Sequence, residues 1–544
     1  MRFVSLFGLL VFIGIAFLMS NNKSKIRPRI ILWGLGLQLL FASIILGNPI
    51  SIWNVTLSVS FSGMYLFLSL ILMYAFKDEI NQKSDRNAQL IHTALILLGS
   101  GLYAFLLYKF ARFGMTTIVL GISFIAIFIL RFIKKTEYQK YLVSSFLISS
   151  WVFLLTNNLD GKTVFKMLSA KVNTFLKLAD LGSAFLFGNL IDPKYYDTFG
   201  FQFAFAVLPT IIFFAAFLSI LYHLGVMQVI VGGMAKFMRW TMGTSGAETL
   251  SCSANVFVGQ TESPLLIKPF LNGMTVSELA TVMIGGFATI AGGVLAGYIR
   301  MGIDPGHLIA ASVMSAPAAL VIGKIIYPET EHSETAGDVE IPRTKTSVDL
   351  LDAATAGVTD GLKLAVNVGA MLLAFIALIG LVDLILNFMD GLIDGRLLGG
   401  TYQTYTGSGG FSPVNGEYLG LFPGSLKTLF GTLLRPLAWT MGVAWNEADK
   451  VGNLLGVKIA LNEFVAYAQL GSHVSVGDLS ERSLIISTYA LCGFANFSSI
   501  GIQIGGISAI APGRRSDLAK IGLKAMFGGA LASWMTATIA GVLI

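Results

Sequence analysis

Charge is scarce in this 544-residue chain. Lys, Arg, Asp and Glu make up 12% of it, against 55% hydrophobic residues, and the mean hydropathy is +0.75. That balance excludes a soluble globular surface and makes the chain an integral membrane protein. Cysteine is nearly absent: Cys252 and Cys492 both stand in apolar sequence, which argues against a disulfide framework and leaves each as a small buried residue. The histidines, His92, His223, His307, His332 and His473, show no metal-ligand spacing, so structural or loop roles are expected. A phosphate loop is missing too. Gly243-Thr-Ser-Gly-Ala-Glu248 lacks the lysine and reads as a turn, with Glu248 a solvated helix-start carboxylate. The net charge of +7 is no nucleic-acid signal, because the basic residues cluster in short loops. The first apolar run has no clear cleavage site and is expected to be a span, not a signal peptide.

Apolar runs are what the chain has in quantity. They are continuous and about 20 residues long, which predicts helices and excludes an alternating barrel pattern. Spans are predicted near residues 3–19, 30–48, 58–76, 88–108, 114–133, 141–156, 200–222, 276–298, 306–326, 362–389, 484–506 and 518–543. Residues 162–187 place Lys166, Lys171 and Lys177 among apolar positions, the pattern of a helix lying at the membrane interface. Lys23, Lys25, Arg27 and Arg29 mark the first loop as cytoplasmic. Lys134, Lys135, Lys140, Lys236, Arg239, Arg514 and Arg515 then also fall inside, Lys109 and Arg112 outside. The polar stretch 329–349 reads as a cytoplasmic linker between two halves.

Two carboxylates stand out within apolar sequence, Glu262 and Glu463. A carboxylate at bilayer depth costs roughly 2.5–3.5 kcal/mol even on lenient scales, so it is expected to face a cavity. Ser263-Pro264-Leu-Leu-Ile-Lys-Pro-Phe-Leu271 predicts a short helix, with Pro264 in its first turn and Ser263 as cap. Nine residues reach less than half of a ~30 Å hydrocarbon core at about 1.5 Å each, so Glu262 is expected at the tip of a re-entrant hairpin. Asn462-Glu463 forms the equivalent tip in the second half. Gly285, Gly286, Gly292 and Gly293 surround Thr289, and Gly493, Gly501, Gly505 and Gly506 surround Asn496 and Ser499. Glycine weakens a helix by about 1 kcal/mol, so these spans are expected to break where oxygens face a ligand. Gly286-Phe-Ala-Thr289 and Gly493-Phe-Ala-Asn496 occupy matching places in the halves, which predicts inverted repeats of the secondary-transporter kind. The fold class expected is therefore an all-α integral membrane protein, an inverted-repeat transporter with two re-entrant hairpins, broken helices and an interfacial helix. An intramembrane enzyme using Glu262 and Glu463 as an acid/base pair is the rival class, and no further catalytic constellation supports it.

Gly456-Val-Lys458-Ile-Ala-Leu-Asn462-Glu463-Phe464-Val465-Ala466-Tyr467 resembles the signature of the concentrative nucleoside transporter family. Gly259-Gln260-Thr261-Glu262-Ser263-Pro264 and Cys492-Gly-Phe-Ala-Asn-Phe-Ser-Ser-Ile500 resemble that family's other hallmarks, and Ala16-Phe-Leu-Met-Ser-Asn-Asn-Lys23 and Gly34-Leu-Gly-Leu-Gln38 also fit. The resemblance implies a homotrimer with a scaffold and a mobile transport domain, importing nucleosides on a sodium or proton gradient. It implies that Gln260, Thr261 and Glu262 address the nucleobase between Val294 and Phe494, and that Glu463, Asn496 and Ser499 bind ribose. It implies a sodium site at Asn255, Val258, Thr289 and Ile290. Sodium is expected over protons because Asn255 and Thr289 are neutral oxygen ligands; a proton-coupled symporter, or a carrier for a free base or sugar-like solute, is the alternative. The expected organisation is a first helix pair in the scaffold (1–48), an inserted block of about four spans (49–160), an interfacial helix (161–199), a first repeat (200–328), the linker (329–349) and a second repeat (350–544). The even number of inserted spans preserves the downstream topology. The expected partners are nucleoside and membrane lipid, with no nucleic acid, and the expected location is a bacterial inner membrane.

Overall fold

The computed structural model describes residues 1–48, 50–52, 55–82, 86–109, 115–132, 139–195, 198, 202–337, 347–405 and 412–544. Arg112, Lys134 and Lys135, used above for orientation, lie outside the described residues. Among those described, eight helical segments are long and apolar enough to cross a bilayer. The chain forms two compact units, Leu39–Leu168 and Met1–Gln38 with Ser169–Val542.

It opens with α1 (Arg2–Leu18) and α2 (Pro28–Leu46), then a ribbon of β1 (Ile50–Ile52) and β2 (Val55–Leu57) that pairs Ile50 with Leu57. Next come α3 (Val59–Ala75), the short α4 (Lys77–Asn81), α5 (Arg86–Lys109), α6 (Met115–Phe132) and α7 (Gln139–Thr156). Leu68, Leu72, Ala104, Leu107, Ile148 and Val152 form the core of this smaller unit. Tyr103 Oη and Ser123 Oγ both meet Ser145 Oγ, at 2.9 and 3.1 Å, so three helices share one hydroxyl cluster. Leu90, Ile91, Leu95, Leu98 and Leu102 of α5 are exposed, the expected state of a face meeting lipid.

The amphipathic stretch is two helices, α8 (Gly161–Leu176) and α9 (Ala179–Phe187). One half of the larger unit follows: α10 (Phe203–Ala206), α11 (Leu208–His223), α12 (Val226–Met242), α13 (Gly246–Ala254), a 3₁₀ turn at Ser263–Ile267, α14 (Val276–Ala288), α15 (Gly292–Arg300) and α16 (Pro305–Ile326). The other half begins with α17 (Leu350–Asp390), a π turn at Gly391–Leu397, and the antiparallel pair β3 (Tyr402–Thr404) and β4 (Gly416–Tyr418). It continues through α18 (Leu426–Thr440), α19 (Ala448–Ala460), α20 (Glu463–Val476), α21 (Glu481–Leu491), α22 (Phe497–Ile510) and α23 (Arg515–Leu543). The order repeats: a helix, a second helix, a segment bearing a carboxylate, a broken helix and a final helix.

The structure departs from expectation in three places. α17 starts 12 residues earlier than the apolar run, because Asp349 caps it by accepting from Asp352 N at 2.8 Å. At 41 residues it measures roughly 60 Å, about twice a hydrocarbon core. Ser263 is no helix cap: Glu262 precedes the 3₁₀ turn, and Ser263 Oγ turns inward to Ser251 Oγ at 3.1 Å. Glu248 is not solvated. It is fully buried, closes a capping box with Ser245, and lies 2.7 Å from Lys324 Nζ. Ser5 Oγ donates to Met441 O at 3.1 Å, the Phe12 and Trp534 rings stand 6.0 Å apart, and Gly34 lies under Val321. α1 and α2 thus pack on the elements that carry the two motifs.

Close approach of α11 and α17 rests on small residues at four-residue spacing, Ala353, Gly357, Gly361 and Ala365, all buried. A Cβ on Gly361 would stand 2.8 Å from Ile212 Cα, and one on Gly357 2.7 Å from Ala216 Cα. Gly361→Leu should therefore destabilise the protein by about 1–3 kcal/mol, as overpacking does. Gly36→Leu, at an exposed glycine with no atom within 4 Å of its Cβ position, should leave thermal unfolding in detergent unchanged. The buried Glu248–Lys324 pair offers a second test. Lys324 also donates to Ser277 Oγ at 2.8 Å, and Thr335 donates to Glu278 Oε1 at 2.5 Å, so the start of the linker fastens α13 and α14 from below. Lys324→Met should cost about 3–5 kcal/mol by stranding Glu248, and adding Glu248→Leu should recover much of it. A double-mutant cycle in the same unfolding assay checks the sign.

Candidate functional site

Each motif is delivered by an element that the sequence forces to end. α14 stops at Thr289, whose φ/ψ of −120/164° is extended, and α15 begins only after Ala291. α21 stops at Cys492, Gly493 takes φ +149°, and Asn496 caps α22. Gly493 is required twice over, since a Cβ there would also meet Phe287 O at 2.6 Å. The two breaks touch: Phe494 N donates to Thr289 O at 3.3 Å. The helix interruptions predicted around Thr289 and Asn496 are thus both present and adjacent.

Glu463 is the first residue of α20, placed there by Asn462, whose Oδ1 caps the helix through Val465 N at 2.9 Å. Its carboxylate is 5% exposed. It accepts from Tyr298 Oη at 3.0 Å and from Asn496 Nδ2 at 3.3 Å. Asn496 Oδ1 in turn accepts from Ser499 N at 2.9 Å and Ser498 Oγ at 2.8 Å. Ser499 Oγ receives Gln260 Nε2 at 3.3 Å, and Gln260 Oε1 receives Gln503 Nε2 at 3.0 Å. A continuous polar chain therefore runs from α15 through both motifs to the turn after α13. Tyr298 stacks on Tyr467, with ring centroids 4.3 Å apart at 27°, which fixes the phenol. Lys458 is wholly buried nearby and donates to Ala490 O at 2.9 Å, at the carbonyl end of α21 where a cation is favoured.

Glu262 differs from Glu463. It is exposed, with Thr261 Oγ1 donating to its Oε1 at 3.1 Å, and a Cβ on Gly259 would collide with it. Val294 is buried and Phe494 half-buried. Asn255, at the end of α13, is fully buried, and neither its Oδ1 nor its Nδ2 has a hydrogen-bond partner. Buried polar atoms of this kind are normally hydrogen-bonded or ligated. Thr289 Oγ1 donates to Gly285 O at 2.9 Å, and a Cβ on Gly285 would stand 3.5 Å from Asn255 Nδ2, so both side chains border one turn of α14. Gly292 N donates to Phe257 O at 3.0 Å and ties the turn bearing Val258 to the break bearing Ile290. Neutral oxygens in non-helical backbone suit a hard monovalent cation.

Sequence reasoning missed Tyr298 and Gln503. The available signal was a large hydrogen-bonding side chain within each of two apolar, glycine-rich helices, Tyr298 in α15 and Gln503 in α22. A separate polar cavity of about 190 Å³, lined by Lys25, Arg27, Glu248, Lys324 and Glu329 among others, mixes cations with carboxylates and shares no residue with the chain of contacts at Glu463.

Models of the Na+ dependent nucleoside transporter match residues 7–57 for its N-terminus and 307–541 for its C-terminus, with a nucleoside recognition (Gate) match at 204–304. The chain is 43% identical over 389 residues to YutK, an uncharacterized transporter of Bacillus subtilis, covering 71% of this chain and 87% of that protein. It is 42% identical over 397 residues to sodium/nucleoside cotransporter 1 of Rattus norvegicus, covering 70% of this chain and 56% of that longer protein. Among solved structures, CNTnw in an inward-facing substrate-bound state aligns with a TM-score of 0.69 at 30% identity, over 99% of this chain and 98% of that one. A doubly substituted CNTnw in an outward-facing state aligns with a TM-score of 0.71 at 29% identity, over 100% and 97%. With both halves of the sequence matched and the motifs at adjoining helix breaks, this chain is a multi-pass membrane protein of the concentrative nucleoside transporter family.

Proposed function

We propose that this protein imports nucleosides together with sodium, by moving its site-bearing elements past a scaffold that includes α11 and α17. The observation that carries the reading is the polar chain from Tyr298 to Gln503, which joins the two tips around one buried carboxylate. Glu463 accepts two side-chain hydrogen bonds, from Tyr298 and Asn496, and a carboxylate has about four acceptor positions. The remaining lone pairs suit the vicinal hydroxyls of ribose, with Asn496 and Ser499 beside them. Gln260, Thr261 and Glu262 face the nucleobase from the other tip, with Val294 and Phe494 as its apolar walls. The two tips act as re-entrant hairpins, and irregular backbone there is tolerated because it lines a cavity.

Sodium is the transported co-substrate. Asn255, whose polar atoms lack partners, and Thr289 supply side-chain oxygens, with Val258 and Ile290 supplying carbonyls. Binding there would tie the turn after α13 to the break in α14, the same two segments that hold Gln260 and Val294. Ion and nucleoside then order one structure, and each raises the affinity for the other. Inward- and outward-facing CNTnw structures support alternating access by movement of a body, and the packing of α1 and α2 on the motif-bearing elements suits a place in that moving body. The small-residue seam between α11 and α17 suits the stationary part. The exposed leucines of α17, among them Leu373, Leu381 and Leu384, suit lipid or the neighbouring protomers of a trimer.

The test is uptake into proteoliposomes under imposed sodium or proton gradients. Sodium should drive uptake, and one positive charge moved inward through 100 mV contributes about 2.3 kcal/mol, roughly 50-fold accumulation. Glu463→Gln should lose most ribonucleoside uptake, since each charge-assisted hydrogen bond is worth about 1.5–3 kcal/mol. Thr289→Ala should weaken the sodium dependence. Uptake that ignores sodium, follows protons and survives Thr289→Ala would assign the coupling to protons.

A further inference from the structure

Gln503 lies outside the motifs that carry the family resemblance, yet it is 1% exposed and lies at the end of the polar chain. Its Nε2 donates to Gln260 Oε1 at 3.0 Å and to the Met283 carbonyl at 3.2 Å, while its own Oε1 is buried without a partner. Gly286 makes the approach possible, because a Cβ there would stand 2.7 Å from Gln503 Nε2. The two ends of an amide are told apart by their partners. Here the partner is a main-chain carbonyl, which can only accept. Turning Gln503 over would set oxygen against oxygen at Met283, so its NH₂ is held toward that carbonyl and toward Gln260. Gln260 must then present Oε1 to Gln503 and its own NH₂ to Ser499 and the substrate side. The unpartnered Gln503 Oε1 shows that this orientation is kept despite an unsatisfied acceptor.

We infer that Gln503 is a positioning residue that fixes the hydrogen-bonding polarity of Gln260, so that this carrier offers an N–H donor to the exocyclic group at position 4 of a pyrimidine or position 6 of a purine, and favours 4-oxo and 6-oxo nucleosides over their 4-amino and 6-amino counterparts. The inference rests on the proposed placement of Gln260 at the base. A buried polar group left facing a group of its own kind rejects that ligand more strongly than a lost apolar contact does. Uridine against cytidine, and inosine against adenosine, are the matched pairs, since sugar and ring size are held constant within each.

The experiment measures half-inhibitory concentrations of these four nucleosides against labelled uridine uptake by the full-length protein in proteoliposomes. Wild type should favour the oxo member of each pair. Gln503→Met keeps the bulk but frees Gln260 to rotate, and should lower the oxo-over-amino ratio roughly 3- to 10-fold. Gln503→Glu introduces an acceptor that draws the Gln260 NH₂ toward it and turns Oε1 to the base, so the ratio should move further toward the amino members. If the carboxylate variant does not fold, the methionine variant alone decides. Gln260→Ala is the control for the underlying placement. An unchanged ratio in that variant would remove Gln260 from the base and with it the site reading. A ratio that collapses with Gln260→Ala but is unmoved in the Gln503 variants, even if all four nucleosides weaken together, would overturn the inference alone. A wild type that favours the amino members would overturn the assigned polarity.

Discussion

Burying Glu463 is the constraint on which the rest of this structure depends. A carboxylate removed from water needs charge-assisted donors. The chain meets that need from separate elements: Tyr298 from α15, Asn496 from the cap of α22, and the helix start at Asn462 that aims Glu463 inward. Each donor is anchored in turn, Tyr298 by stacking on Tyr467 and Asn496 by the backbone of Ser499. The site is thus held by the same interactions that bring the two halves together.

The helix breaks follow from the same constraint. A continuous helix uses its carbonyls internally and offers nothing to a ligand, whereas Thr289 and Gly493 interrupt two helices side by side and free backbone groups at the centre. Phe494 N and Thr289 O satisfy one another across the breaks, so the interruption costs less than two isolated ends would. Asn255 lies beside this junction with both polar atoms unpartnered, next to a hydroxyl and two non-helical segments. On the proposed reading, coupling between ion and substrate would need no long pathway, because one junction would serve both.

Much of this was legible in the sequence, where polarity interrupts apolar periodicity. Glu463, Asn462, Asn496 and the glycines around Thr289 announced helix ends, because a capping amide or a glycine pair inside an apolar run has few other uses. Three features were not legible, and each turns on a long-range partner. Glu248 read as solvated because its cation, Lys324, lies 76 residues away in another helix. Ser263 read as a cap because its true partner, Ser251, lies on the preceding helix. Gln503 read as nothing, since one amide in an apolar helix carries no periodic signal, and only the meeting of α14 with α22 gives it Met283 and Gln260. The placement of α1 and α2 was hidden similarly, because side chains such as Ser5 and Gly34 disclose a packing face only once their neighbours are known.

Equilibrium binding of labelled uridine to the purified protein, in sodium and in an equal concentration of choline, tests the shared ion and nucleoside junction most directly. The account predicts that sodium tightens nucleoside binding by about 5- to 150-fold, the usual range for coupled sites. It further predicts that Asn255→Ala abolishes this enhancement while leaving the weak binding seen in choline. Equal affinity in the two salts, or an enhancement that persists without the Asn255 amide, would contradict it.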